Sequence, residues 1–232
     1  MKSSSQAGYT IIELLVVFAI ISVIMLITLF QYSTFSSSTL LTNLTYEVAL
    51  SIRQAQVYGL SVKGTKGGAA APYSNATYNA GYGIHLDAVH PSGNLITSMV
   101  LFTDLPASAN DTRPTGDRKF NYSDPPVGTG PAGSPEFLEQ VSVPGGYLIQ
   151  KFCGFYGATG TAYRCSDGTS SDASGGITAM DVVFQRPNPG AFFRDSLGNT
   201  AYGRVEITIY SLRNTSLARK AVVESTGQIS VQ

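Results

Sequence analysis

The sequence predicts an α+β chain: a long N-terminal α-helix, with a membrane half and an amphipathic half, packed on an antiparallel β-sheet or two-sheet head. Three observations predict it. From Ile11 to Phe30 the only polar residues are Glu13, Ser22 and Thr28. Leu41, Leu44, Val48, Ile52, Ala55 and Gly59 then recur at the spacing of one helix face. In the C-terminal third, short runs alternate apolar with polar residues between turn signals.

The first half of the helix, residues 9–30, is apolar all round. At ~1.5 Å per residue, such a run spans roughly the 30 Å of a bilayer's hydrocarbon core. No proline precedes Pro72 and no glycine lies between Gly8 and Gly59, so nothing stops the helix before Gly59–Gly64. Its weakest part is the Ser/Thr-rich stretch Ser33–Thr39. The second half, residues 31–62, carries the apolar stripe, with Glu47, Arg53 and Gln54 off it.

Residues 63–81 read as a linker, rich in Gly, Ala, Ser and Asn and containing Pro72. A β-rich head, 82–232, follows. Tyr82, Ile84 and Leu86 alternate with Gly83, His85 and Asp87, which predicts a half-buried strand with His85 pointing outward. Ile96–Thr103 is the next strand, after the turn His90–Asn94. The Pro/Gly-rich loop 104–146 holds seven of the eleven prolines, with room for a short strand near Phe120–Tyr122 or Phe137–Val143. Cys153–Gly176 is a second irregular segment. Strands are expected at Thr178–Gln185, Gly203–Leu212, Ala218–Ser225 and Gln228–Val231, with a tight turn at Ser225–Gln228.

With the helix set aside, about 150 residues remain, enough to bury ~68–70% of their unfolded surface. Charged residues make up 13% of the chain and the formal net charge is zero. Such a balance gives no global attraction to nucleic acid or anionic lipid. No serine-nucleophile motif, paired metal-binding histidines or phosphate loop is present. His85 and His90, the only histidines, read as solvated surface residues. Asp167 and Asp172, in a polar loop beside Asp181, lack the spacing of an EF-hand. Arg113, Arg118 and Lys119, and again Arg213, Arg219 and Lys220, read as solvated loop tips and strand ends rather than a DNA-contacting face. No catalytic residue, metal, cofactor or small-molecule substrate is therefore expected. Cys153 and Cys165 flank a Gly-rich stretch. Outside the cytoplasm they would pair, stabilising the fold by roughly 3 kcal/mol through loop closure; otherwise they are two buried thiols. Two cysteines alone make an incomplete zinc shell.

Glu13 is the residue that needs a reason. A carboxylate costs about 2.5–3.5 kcal/mol at mid-bilayer, and less near the interface. A secretory signal has an apolar core of about 7–15 residues followed by a small-x-small cleavage site. This run is longer, and Gln31–Ser36 contains no Ala-x-Ala. A plain anchor explains the length but not the acid. A cut after Gly8 would instead create an α-amino group at Tyr9, close enough in sequence for an ammonium and a carboxylate to neutralise each other.

Gly8, Tyr9, Thr10, Glu13 and Leu14-Leu15-Val16-Val17 together resemble the N-terminus of a type IV pilin-like or pseudopilin precursor. The resemblance implies cleavage after Gly8 by a prepilin peptidase and N-methylation of the new terminus at Tyr9. It also implies that Glu13 pairs with the N-terminal amine of a neighbouring subunit in a helical filament. Tyr9 departs from the family's usual Phe, and the leader, residues 1–8, carries one basic residue, Lys2. Ser51–Gln56, Gly81–Ile84, Phe184–Asn188 and Thr226–Val231 are similar to the GspH/FimT group, the minor pseudopilins of type II secretion and related minor pilins. That likeness covers the helix, the first strand and the last strands, but neither the Pro/Gly loop nor the cysteine loop. It implies a structural, non-enzymatic subunit with a single-pass helix in the inner (cytoplasmic) membrane and a head in the periplasm or outside the cell. Its partners would be other pseudopilin or pilin subunits, the peptidase and the membrane. Two alternatives stay open: a minor type IV pilin in adhesion or DNA uptake, and a membrane-anchored binding protein whose Pro/Gly loop captures a ligand.

Overall fold

A computed structural model describes residues 8–61, 80–88, 96–105, 117–120, 136–157, 160–171 and 175–232, without the side chains of 30–34. The expectations for the leader before Gly8, most of the linker, the turn His90–Asn94, Arg113, Asp172 and most of loop 104–146 lie outside these residues. Two compact units result, residues 1–40 and 41–232.

One helix, α1 (Ile11–Leu60), runs from the first unit into the second. Thr10 caps it: its carbonyl accepts from the Glu13 and Leu14 N–H groups at 3.1 and 3.2 Å. The Ser/Thr stretch does not interrupt α1. Hydroxyls along the helix bond back one turn, Thr28 to the Ile24 carbonyl (3.1 Å), Thr39 to Phe35 (3.1 Å) and Thr45 to Leu41 (2.8 Å). Each hydroxyl thus finds an acceptor on its own helix, without pulling the backbone into a turn. In the first unit the segment Ile11–Leu29 is long and apolar enough to cross a membrane, and none of it is buried within the chain.

The second unit contains ten strands: β1 (Gly81–Asp87), β2 (Ser98–Asp104), β3 (Phe137–Ser142), β4 (Tyr147–Tyr156), β5 (Tyr163–Cys165), β6 (Ala179–Gln185), β7 (Asn188–Asp195), β8 (Tyr202–Ser211), β9 (Ala218–Glu224) and β10 (Ile229–Val231). They form two antiparallel five-stranded sheets, sheet 1 in the order β3-β2-β1-β6-β7 and sheet 2 in the order β10-β9-β8-β4-β5. The fold class is α+β, as the sequence predicts. Leu41, Leu44, Val48, Ile52 and Ala55 join Ile84, Leu101, Val182 and Phe184 of sheet 1 and Phe152, Val205, Ile207 and Val223 of sheet 2 in one core. Gly59 lies against β6: a Cβ there would sit 2.3 Å from the Phe184 carbonyl oxygen.

Three strands, β4, β5 and β7, arise where none is expected, and β5 with the end of β4 lies within Cys153–Gly176, which reads as irregular in the sequence. In β4 the register with β8 shifts between Ile149 and Lys151, so adjacent Leu148 and Ile149 are both buried and strict alternation is lost. The opening Asn188-Pro189-Gly190 of β7 has the composition of a turn, yet the strand lies at the edge of sheet 1, where proline is tolerated. Within loop 104–146, β3 takes the second of the two anticipated positions.

His85 is not a surface residue. It is buried on the outer face of sheet 1, where Val100, Phe102, Phe120 and Val183 form a second, smaller apolar cluster. Outward alternation on β1 therefore points to a face that another part of the chain covers. Asp181 is likewise not beside a polar loop; it lies in β6, opposite His85, and is buried.

Candidate functional site

At the N-terminus, Gly8 and Tyr9 stand ahead of α1 and are exposed, Tyr9 by 86%. A Cβ on Gly8 would meet nothing within 4 Å. Among the described residues, therefore, nothing packed against this position requires glycine. Thr10 is the N-cap, and its hydroxyl lies 3.4 Å from the Glu13 amide nitrogen. Glu13 is three residues further on, in the first turn, which gives the Thr-x-x-Glu spacing of a capping box. A carboxylate here faces the positive end of the helix dipole, favourable by about 0.3–1 kcal/mol at an exposed position. That term alone is smaller than the cost of a carboxylate deep in a bilayer. Around Glu13, Ile11, Ile12, Leu14, Leu15, Val16, Val17 and Phe18 are all exposed. The segment thus combines a glycine with nothing packed against it among the described residues, an acid on the first turn and an apolar surface without cover inside the chain.

In the head, Cys153 and Cys165 are bonded to each other and sit opposite in the β4–β5 register. Among the described residues no group of three or more His, Cys, Asp or Glu side chains could hold a metal ion. Of the basic residues read from the sequence, Lys220 bonds Glu206 at 2.9 Å, and the Arg118 guanidinium lies 3.8 Å over the Phe192 ring. Both are engaged within the head.

Sequence reasoning missed the buried polar groups. His85 Nδ1 lies 2.7 Å from Asp181 Oδ1. Burial raises the Asp181 carboxyl above its ordinary range, with the His85 hydrogen bond and charge pulling it back. Tyr202 donates to Asp195 Oδ2 at 2.6 Å, and Asp195 also accepts from the Leu197 and Asn199 amides. Burial first, then bonds to Asp195 and Tyr156, drive the Tyr202 phenol upward. Asp104 is fully buried near the end of β2, and burial pushes its carboxyl up to about 7. The sequence signal available for these groups was an acid within an otherwise apolar strand pattern, as in Met180-Asp181-Val182-Val183.

A family model described as the prokaryotic N-terminal methylation motif matches residues 3–29. No curated protein and no solved structure matches the chain. The matched stretch ends where the exposed apolar segment ends, at Leu29. It supports a type IV pilin-like family, a structural class, and it implies processing by a prepilin peptidase and assembly with other pilin subunits. The chain therefore carries a prepilin-type N-terminus, and its apolar helix fits a single-pass, membrane-anchored pilin-like subunit.

Proposed function

We propose that the protein is a minor pseudopilin of a type II secretion pseudopilus, without catalytic activity of its own. On this reading residues 1–8 are a leader removed by the peptidase, Tyr9 becomes the N-methylated terminus, and residues 9–30 anchor the subunit in the inner membrane. The helix continues through 31–62, and the head, 82–232, stands in the periplasm or outside the cell. Glu13 pairs with the terminal amine of a neighbouring subunit, and the exposed apolar helices bundle in the fibre.

The observation that carries the reading is the N-terminal combination itself: Gly8 with nothing packed against it among the described residues, Glu13 on the first turn, and an uncovered apolar helix within the matched methylation motif. The narrower GspH/FimT reading rests on the sequence likeness of stretches in α1 and the head. Two of those stretches, Ser51–Gln56 and Thr226–Val231, touch through Gln56. Gln56 of α1 donates its side-chain amide to the Pro189 carbonyl at 3.2 Å and the Gly227 carbonyl at 2.9 Å. Beside it, the Arg186 N–H donates to the Gly59 carbonyl at 3.2 Å.

Glu13→Ala tests the mechanism. Mature wild-type protein and the variant should both begin at Tyr9 on N-terminal sequencing, and both should reach the membrane. Incorporation of the variant into sheared fibres should fall at least about tenfold, since loss of the carboxylate leaves the neighbouring ammonium buried and unpaired. Normal incorporation would rule out the pairing, and a terminus other than Tyr9 would rule out the cut site.

A further inference from the structure

Residues 117–120 cross the outer face of sheet 1 and are held there at several points. The Arg118 N–H donates to Asp104 Oδ1 at 3.0 Å. Arg194 donates to the Asp117 carbonyl at 2.6 Å. Phe120 is buried, with its ring centre 5.0 Å from that of His85 and 5.4 Å from that of Phe102. Its N–H bonds Asp181. Both buried carboxyls of this face thus accept a backbone N–H from the same short segment. Arg118 reaches this arrangement with φ at 61°, a left-handed value that costs a residue with a side chain on the order of 1 kcal/mol or more.

The two carboxyls differ in what balances them. Asp181 has His85 at 2.7 Å. Asp104 has no ion pair, and its Oδ2 has no hydrogen-bond partner among the described residues. The groups around Asp104 do not neutralise it. Gly81, its register partner on β1, brings no side chain, and a Cβ there would lie 3.2 Å from Oδ2. From the 117–120 segment, Asp117 repels it and Arg118 attracts it, with the Arg118 guanidinium seated over Phe192. Lys119 acts on Asp181. From β6, Asp181 adds repulsion. Next to β3, Glu136 accepts the Leu105 N–H at 3.1 Å. From β7, Arg194 is directed at the Asp117 carbonyl.

We propose that residues 117–120 form a strap that is closed in acid and released towards neutral pH by the charge on Asp104, uncovering the aromatic outer face of sheet 1. While the strap is closed, ionising Asp104 places in a buried site a charge that has no ion-pair partner among the described residues. Opening hydrates the carboxylate and relaxes the backbone of Arg118. Burial raises the carboxyl from 3.8 to about 7 in the closed form. Between those values the closed form holds a proton that the open form does not. Opening therefore grows as pH rises from about 4 to about 7 and levels off above that.

Amide hydrogen exchange on the full chain in detergent micelles tests this, corrected for intrinsic exchange rates. Protection of the Arg118 and Phe120 amides should fall by about tenfold per pH unit between pH 5 and 7, then level. The Val205 and Ile207 amides of β8 should keep their protection throughout. In Asp104→Asn, which keeps the oxygen that accepts from Arg118, strap protection should be high and independent of pH. Carbon-13 NMR of the wild-type Asp104 carboxyl gives a reading that needs no variant, with titration expected near 7. Constant strap protection in the wild type, a pH dependence that persists in Asp104→Asn, loss of β8 protection along with the strap, or titration near 4 would each overturn the proposal.

Discussion

Asp104 sets the pH dependence of the folded head at the scale of a single residue. Burial raises its carboxyl from 3.8 in the open chain to about 7 in the fold. For an acid shifted upward, the stabilising contribution is fully present below the unfolded value and is lost as pH rises through the folded one. Asp181 is shifted in the same direction by burial, though its bond to His85 works against the shift. Urea unfolding of the detergent-solubilised chain should therefore give lower stability at pH 8 than at pH 5. Asp104→Asn should recover roughly 2–4 kcal/mol at pH 8 and change little at pH 4. A variant no more stable than wild type at pH 8 would show that closing the strap over an uncharged residue 104 adds no stability. The argument for Glu13, by contrast, is local: Gly8, Tyr9, Thr10 and the apolar run lie within one or two helical turns of it, so the sequence alone can pose it. Asp104 and His85 were not legible there, because what buries them is Phe120 and its neighbours, reached only through long-range folding.

Among the elements, those with a clean period were read correctly and those with a broken period were not. In β8, Val205, Ile207 and Ile209 alternate without a gap, and the strand appears at Tyr202–Ser211. The register shift in β4 and the Asn-Pro-Gly opening of β7 hid strands of comparable length. The stripe on α1 was also legible, because 3–4 spacing survives the intervening serines and threonines, whose hydroxyls bond back along the helix. The stripe makes a comparison possible within one helix. Ile52 is wholly buried in the main core, whereas Leu50, two residues away, is 67% exposed. Ile52→Ala should lower the unfolding free energy by about 2–5 kcal/mol through lost burial and an unfilled cavity. Leu50→Ala should change it by no more than about 0.5 kcal/mol. Chemical denaturation of the two variants distinguishes them, and equal effects would mean that the helix face is assigned wrongly. If Leu50→Ala nonetheless reduces fibre incorporation, the exposed side of α1 serves contacts between subunits, not the fold of the head.

For the whole molecule, the boundary that matters is not the one between helix and sheet. The compact units divide at residue 40, so the head includes the part of α1 from Leu41 onward. Leu41, Leu44, Val48 and Ile52 are each at least 95% buried in a core shared with both sheets. At about 1.5–3 kcal/mol per fully buried side chain, the four together contribute roughly 6–12 kcal/mol. That is comparable with the whole net stability of a typical domain, about 5–15 kcal/mol. A chain beginning at Gln31 lacks the exposed apolar segment Ile11–Leu29 but keeps the buried stripe. It should be soluble, contain the Cys153–Cys165 bond and unfold in one cooperative thermal transition. A chain beginning at Val62 keeps every strand and loses the stripe, leaving the facing side chains of Ile84, Val182 and Val205 without their cover. It should aggregate or melt without a cooperative transition. Circular dichroism against temperature separates the outcomes. If the shorter chain melted cooperatively at the same temperature as the longer one, the sheets would be self-sufficient and the helix merely attached. The expected opposite result makes the helix from Leu41 onward a structural part of the head, one that the sheets need for their own cooperative fold.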